Sequence, residues 1–169
     1  GVVYSDALFL VLAVSAFFAL ENDRPILSAL FGALACASRP VAPALVVGLL
    51  VRSVERRRLR GQQLRVVDFV PALAGLGLLA FMAYLELRFD DPLAFAHVQG
   101  APGWDQPPGW HSWLKVEWFR SMFPRVAPLV AIRLGGHALV TVLALMLVVP
   151  TFKRLGWGYG VFALLVINI

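Results

Sequence analysis

Long apolar runs separated by short polar segments form the dominant pattern along this chain of 169 residues. A helix that crosses the hydrocarbon core of a bilayer needs about 20 mostly apolar residues. Residues 66–87 and 134–151 are long enough, residues 4–20 are slightly short, and a further run begins at residue 157. The pattern therefore predicts an all-α protein, a polytopic transmembrane helical bundle in which residues 1–169 belong to a single multi-pass domain.

The apolar run at residues 25–51 allows two topologies. It is either one span or two short helices that meet at "SRPVAP", where Pro40 and Pro43 lie. Proline removes a backbone donor and disfavours helix at the preceding residue. Arg39 at the centre of a lipid-facing span would also cost about 3 kcal/mol. We favour the short helical hairpin, which gives about five to six membrane helices.

The distribution of charge supports the hairpin. Six of the fifteen basic residues lie in "RSVERRRLRGQQLR" (52–65). With a hairpin, this segment shares one side of the membrane with "ENDR" (21–24) and "FKRLG" (152–156), and short basic loops belong in the cytoplasm. The loop 88–125, which has four basic and four acidic residues, then lies on the extracytoplasmic side. With a single span, the basic segment would instead lie on the side of Asp6.

Composition agrees with a membrane protein. Sixty per cent of the residues are hydrophobic and 15% are charged, and the mean hydropathy is +0.78, which is typical of the membrane class. The net charge of +5 has a juxtamembrane explanation, so we expect no nucleic-acid partner. We expect an integral multi-pass protein of a bacterial plasma membrane. Because the chain starts without methionine and ends within an apolar run, we interpret it as an internal piece of a longer protein.

The long loop contains a predicted interfacial helix near residues 110–123. Trp110, Trp113, Leu114 and Trp118 recur there at helical spacing. Tryptophan is favoured at the level of the lipid headgroups, so this segment is expected to lie along the membrane surface.

Polar side chains collect on the extracytoplasmic face of this topology. Arginine binds phosphate through a planar fork, carboxylates accept hydrogen bonds from sugar hydroxyls or act as a general base, and tryptophan rings stack on sugars. Each acid also has a structural explanation, because Asp6 can cap a helix and Asp91 can start a turn or helix. The histidines lack metal-ligand spacing, so we expect neither a metal nor a cofactor.

Three segments resemble one family. "YSDALFLVLAVSAFFAL" (4–20), "ILSALFGALACASRPVAPAL" (26–45) and "DDPLAFAHVQGAPGW" (90–104) resemble, in order and spacing, the PIG-V-type mannosyltransferases of GPI-anchor biosynthesis. These are polytopic GT-C glycosyltransferases. In that family a Tyr-Ser/Thr-Glu/Asp segment heads a helix, a Gly-rich helix ends in Thr/Ser-Arg-Pro, and an Asp-Pro-Leu-Ala-Phe segment lies in an extracytoplasmic loop.

The resemblance implies inverting transfer of mannose from a polyprenyl-phosphate-linked donor to a lipid-linked or protein acceptor at the extracytoplasmic face of the bilayer. The principal catalytic acid of such enzymes lies in an earlier loop, which would precede Gly1, and Asp6 is the candidate within this chain. Arg39 would bind the phosphate of the donor. The substrate-binding residues that the resemblance implies are Tyr4, Ser5, Asp6, Arg39, Asp91, His97, Gln99 and Trp104.

Two other classes of function compete with the transferase. A transporter or flippase would use Arg133 and His137, which lie one helical turn apart in an apolar run. A non-enzymatic membrane scaffold would use the acids as helix caps and the tryptophans as anchors.

Overall fold

The computed structural model describes residues 5–39, 42–98 and 128–168, and every regular element in these ranges is helical. The predicted all-α class is therefore confirmed for this part of the chain. A 3-10 helix, Val66–Gly75, runs directly into α4. The α-helices are α1 Ser5–Glu21, α2 Pro25–Ser38, α3 Ala42–Leu59, α4 Leu76–Phe89, α5 Ala94–His97, α6 Pro128–Arg154 and α7 Trp157–Asn168.

The run at residues 25–51 forms two helices, as the hairpin topology predicted. Helix α2 ends at Ser38, and the backbone of the next residue, Arg39, is extended (φ −151°, ψ 145°). Pro43 lies in the first turn of α3, where proline is tolerated. Near the far end of α3, Arg56 hydrogen-bonds to the backbone at the end of α1. Helix α3 therefore returns to the level at which α2 begins, and the single-span alternative is wrong.

Small residues allow the helices to pack closely. A Cβ added to Gly32 of α2 would lie 2.6 Å from the Cβ of Ala74 in the 3-10 helix. Gly77 of α4 lies against the carbonyl group of Ala33 in the same way. Close backbone approach through small residues is typical of helices that pack within membranes. On its other side α2 packs on α1, while α7 packs on α3 and α6.

One continuous helical stretch within the described residues, Val66–Phe89, is long and apolar enough to cross a membrane. It extends the run predicted at residues 66–87 by two residues. Pro71 lies inside its 3-10 portion, and the missing N–H of proline disfavours a regular α-helix there. Helix α2 and the segment Trp157–Ile167 are apolar but shorter. The number of five to six membrane helices stays a prediction.

The long loop is described only at its start. Helix α4 ends at Phe89, a turn follows, and α5 comprises Ala94–His97. The predicted interfacial helix near residues 110–123 lies outside the described residues, as do its tryptophans.

Candidate functional site

An ion pair joins the start of α1 to the end of α2. Asp6 lies in the first turn of α1, and its carboxylate contacts the guanidinium group of Arg39. The two helices pack side by side with opposite directions, so residues 33 positions apart meet at one end of the fold. The side chains of Arg39 and Asp6 are 41% and 52% exposed. A ligand can therefore reach both groups.

A second pair forms just beyond α4. Nδ1 of His97 lies 2.7 Å from Oδ2 of Asp91, and the backbone N–H of Leu93 donates to Oδ1 of Asp91 at 3.0 Å. The hydrogen bond with His97 lowers the pKa of the Asp91 carboxyl below its ordinary value. Asp91 thus shapes the turn, as one of its two interpretations predicted, and also forms a carboxylate–imidazole pair. Such a pair is able to accept or pass on a proton.

The two pairs lie at the same end of the fold. Helices α2 and α4 run in the same direction, because Asp23, just before α2, and Asp68, before α4, both bind the far end of α3, and Gly32 lies against Ala74 further along. Beyond α4 the chain turns back at Asp90, whose backbone is left-handed. Phe95 of α5 therefore contacts Phe81 of α4, with ring centroids 6.1 Å apart.

The remaining predicted site residues are only partly described. The backbone of Ser5 begins α1. Tyr4, Gln99 and Trp104 lie outside the described residues, so their predicted roles stay predictions. Within the described ranges, no group of three or more His, Cys, Asp or Glu side chains is arranged to hold a metal ion.

The opposite end of the fold contains the arginine cluster, which we define as Arg52, Arg56, Arg57 and Arg60 of α3. Sequence reasoning used these residues to orient the chain and to explain its net charge as a juxtamembrane cluster, a pattern that also marks some contacts with anionic lipid. In the structure, Arg56 donates hydrogen bonds to the backbone carbonyl oxygens of Leu20 and Glu21. The last carbonyl groups of a helix have no partner within that helix. That of Leu20 also accepts from the N–H of Asp23 at 3.1 Å, and Arg56 adds a donor to it and to that of Glu21.

Arg52 connects three helices through two carboxylates. Its Nε lies 2.6 Å from Glu21 of α1, and its Nη1 lies 2.9 Å from Glu55 of α3. The hydroxyl of Tyr159 in α7 also donates to Glu21, at 3.0 Å. Burial raises the pKa of Glu21, but the hydrogen bonds from Arg52 and Tyr159 outweigh it and lower the pKa below 4.5.

Glu55 also binds the start of α7. The backbone N–H of Trp157 donates to Oε1 of Glu55 at 2.8 Å, and that of Gly158 donates to Oε2 at 3.3 Å. The first N–H groups of a helix have no internal acceptor, and a carboxylate is favoured beside them. The side chain of Glu55 therefore caps a helix about one hundred residues later in the chain.

A cavity of 130 Å³ opens beside the arginine cluster. Three members of the cluster line it together with two acids, Asp23 and Asp68. Asp68 binds Nε of Arg57 at 2.6 Å, and Asp23 binds Arg60 through both carboxylate oxygens. Sequence reasoning missed this cavity. The available signal was the acidic segment "ENDR", which the hairpin places on the same side as the basic segment.

Comparisons of this chain with protein-family models, with characterised proteins and with solved structures find no match. The resemblance to the PIG-V-type mannosyltransferases therefore rests on the three quoted segments alone.

Proposed function

We propose that this chain is part of a GT-C-type, membrane-embedded glycosyltransferase of the bacterial plasma membrane. It transfers a sugar, mannose by resemblance, from a polyprenyl-phosphate-linked donor to a lipid-linked or protein acceptor at the extracytoplasmic face. The observation that carries the proposal is the contact between Asp6 and Arg39. Two of the three segments of the resemblance supply these residues, and the fold brings them together at one end.

Arg39 is suited to bind the phosphate group of the donor. A guanidinium group has five N–H donors in a planar fork, which matches the geometry of phosphate oxygens. An exposed ion pair contributes only about 0–1 kcal/mol, so a phosphate can share or replace the contact with Asp6 at little cost. Asp6 then orients the guanidinium group before the donor binds.

The pair formed by Asp91 and His97 is suited to the sugar or the acceptor. The imidazole of His97 is accessible, with a side chain 66% exposed, and the carboxylate of Asp91 is partly accessible at 34%. The pair lies at the same end of the fold as Arg39, so a sugar attached to the donor phosphate can extend towards it. Hydrogen bonding to hydroxyl groups, or removal of a proton from an acceptor hydroxyl, fits these groups.

Membrane embedding has its own structural support. Only 22% of the most apolar window in Val66–Phe89 is buried, whereas the core helix of a soluble protein is mostly buried. Large apolar side chains are also exposed along α1, including Leu10, Val14 and Phe18, each at least 59% exposed. Contiguous exposed apolar surface of this kind marks contact with lipid or with another protein.

The test is sugar transfer by membranes from cells that produce the protein, supplied with radiolabelled polyprenyl-phosphate mannose and lipid acceptor. We expect Arg39→Gln and Asp91→Asn to lose most of the transfer activity. Asp90→Asn is the matched control for Asp91→Asn, because it makes the same change one residue away and Asn tolerates the left-handed backbone at that position (φ 56°). Full activity of Arg39→Gln would remove the phosphate role, and absence of transfer by the unchanged protein would refute the proposal.

A membrane scaffold is the second candidate, because Asp6 and Arg39 neutralise each other within the fold. Exchange of the two charges, Asp6→Arg with Arg39→Asp, distinguishes the two functions. In a scaffold the reversed pair restores both stability and function. In a transferase it restores stability alone, since the donor phosphate then meets a carboxylate at position 39.

A further inference from the structure

The cavity beside the arginine cluster has the size and charge of an anion site. Its three arginines and two aspartates leave one net positive charge. Its volume of 130 Å³ is well above the roughly 10–15 Å³ that one water molecule needs on this measure. A tetrahedral group with several oxygen atoms therefore fits.

Donor groups remain in the cavity after the internal ion pairs are counted. Arg60 uses one N–H on each Nη for Asp23, and Arg57 uses Nε for Asp68 and Nη1 for Gln62. Each guanidinium group has five N–H donors. Among the described residues, both arginines thus keep N–H groups for a ligand. Arg60 is also 45% exposed, so it can turn towards a ligand without opening the core.

Three exposed apolar residues are next in the chain to residues that line the cavity, and we call them its apolar rim. Ile26, Leu59 and Val66 each directly adjoin a lining residue in the chain, and their exposed fractions are 74%, 76% and 88%. Val66 also begins the stretch that is long enough to cross a membrane. A free anion gains nothing from such a rim, whereas a phosphate that carries acyl chains can place them against it.

We propose that this cavity binds the phosphate group of an anionic phospholipid. Arginine donors hold the phosphate, and the acyl chains lie along the apolar rim. The site is distinct from the proposed sugar-transfer site, because Leu20 and Asp6 lie at opposite ends of α1, about 21 Å apart at 1.5 Å per residue. The inference shares with the proposed function the location in a membrane, and it does not depend on sugar transfer.

The test measures binding of phosphatidylglycerol to the detergent-purified protein, with phosphatidylcholine as the neutral lipid and inorganic phosphate as the free anion. The two variants are Arg60→Gln and Arg58→Gln. They remove the same charge two residues apart on α3, but Arg58 does not line the cavity. Loss of one surface arginine weakens attraction to anionic lipid by about fivefold through the general field. We expect Arg58→Gln to show that loss and Arg60→Gln to bind at least several times more weakly still.

Each result decides the proposal. Equal weakening by the two variants, with circular dichroism showing both folded, would mean diffuse attraction and would overturn the site. Binding of phosphatidylcholine as tight as that of phosphatidylglycerol would also overturn it. Inorganic phosphate that binds as tightly as the lipid would overturn the lipid as the ligand. Because no sugar donor is present, failure of this experiment is distinct from failure of the transferase proposal.

Discussion

Replacement of Arg56 by methionine tests whether the arginine cluster stabilises the fold. The side chain of Arg56 is only 10% exposed, and Arg56→Met keeps its apolar stem while it removes the guanidinium group. The carbonyl oxygen of Leu20, which is buried, then loses its side-chain donor but keeps the backbone N–H of Asp23 at 3.1 Å. The carbonyl oxygen of Glu21, which is partly buried, loses a bond of 2.9 Å. The substitution therefore acts on the junction between α1 and α2.

The magnitude follows from these two carbonyl groups. Neither carbonyl group is left buried without a partner, because Leu20 keeps the N–H of Asp23 and water replaces part of the bond to Glu21. Each lost hydrogen bond therefore costs about 0.5–1.5 kcal/mol. The ion pair with Asp23 adds little, since Asp23 is 63% exposed and keeps Arg60 as a partner. We expect the free energy of unfolding to fall by about 1–3 kcal/mol.

The assay is equilibrium unfolding of the purified protein in micelles titrated with a denaturing detergent, followed by the helical signal in circular dichroism. Arg58→Met is the control, because Arg58 is exposed on the same helix. We expect it to change the free energy by no more than about 0.5 kcal/mol. If Arg56→Met costs under about 1 kcal/mol, the hydrogen bonds to the end of α1 do not stabilise the fold as argued.

Three further predictions use the same unfolding assay. Burial raises the pKa of Glu55, but hydrogen bonds from the start of α7 outweigh it and lower the pKa below 4.5. The stabilisation that Glu55 contributes is complete above pH 4.5 and is lost as the pH falls through the lowered value. Glu55→Gln should therefore lose less of its free energy of unfolding on acidification than the unchanged protein does. Gly77→Ala should lower the free energy of unfolding by about 1–3 kcal/mol, because the new methyl group overlaps a carbonyl group of α2. Gly136→Ala is the control, and because the space around Gly136 is open, it should stabilise by up to about 1 kcal/mol. Tyr159→Phe removes the hydroxyl that donates to α1 and should lower the free energy of unfolding by about 1–2 kcal/mol. Tyr84→Phe is the control, and because this side chain is 56% exposed, it should change that free energy by no more than about 0.5 kcal/mol. Equal effects within either pair would contradict the packing or hydrogen bond invoked.

The course of the chain through the hairpin was predictable because charge and proline act on it locally. Pro40, Pro43 and Arg39 each disfavour a continuous span, and the structure confirms two helices. The lengths of individual helices were less predictable. The apolar run at 134–151 gives no sign of the extra turns that extend α6 to Pro128–Arg154, because helix ends depend on packing and capping as well as on apolarity.

Part of the candidate site was also predictable. Asp6 and Arg39 were expected on one face, and the structure places them in contact. Their proposed chemistry, in contrast, came from the resemblance and stays a prediction. Asp91 had two interpretations, and the structure supports its part in a turn while it adds the hydrogen bond to His97. The spacing of six residues between Asp91 and His97 did not indicate this bond, because it depends on the turn before α5.

The partners of the arginine cluster could not be predicted individually. The hairpin placed "ENDR" on the same side as the basic segment, so some pairing with Glu21 and Asp23 was foreseeable. The bonds from Glu55 to Trp157 and Gly158 span 102 and 103 residues, and nothing local in the sequence marks them. Contacts over such separations are set by the packing of α7 on α3.

These long-range bonds have a consequence for biosynthesis. Helix α3 leaves the ribosome about one hundred residues before α7, the helix that covers it, and chains are made at roughly 5–20 residues per second. For roughly 5–20 s, therefore, Gly48 and its neighbours lack Phe162 and Glu55 lacks the backbone of α7. During that interval the nascent chain exposes the face of α3 that α7 later covers, which contains both polar and apolar groups. Until α7 is made, this face of α3 lacks the helix that covers it in the folded protein.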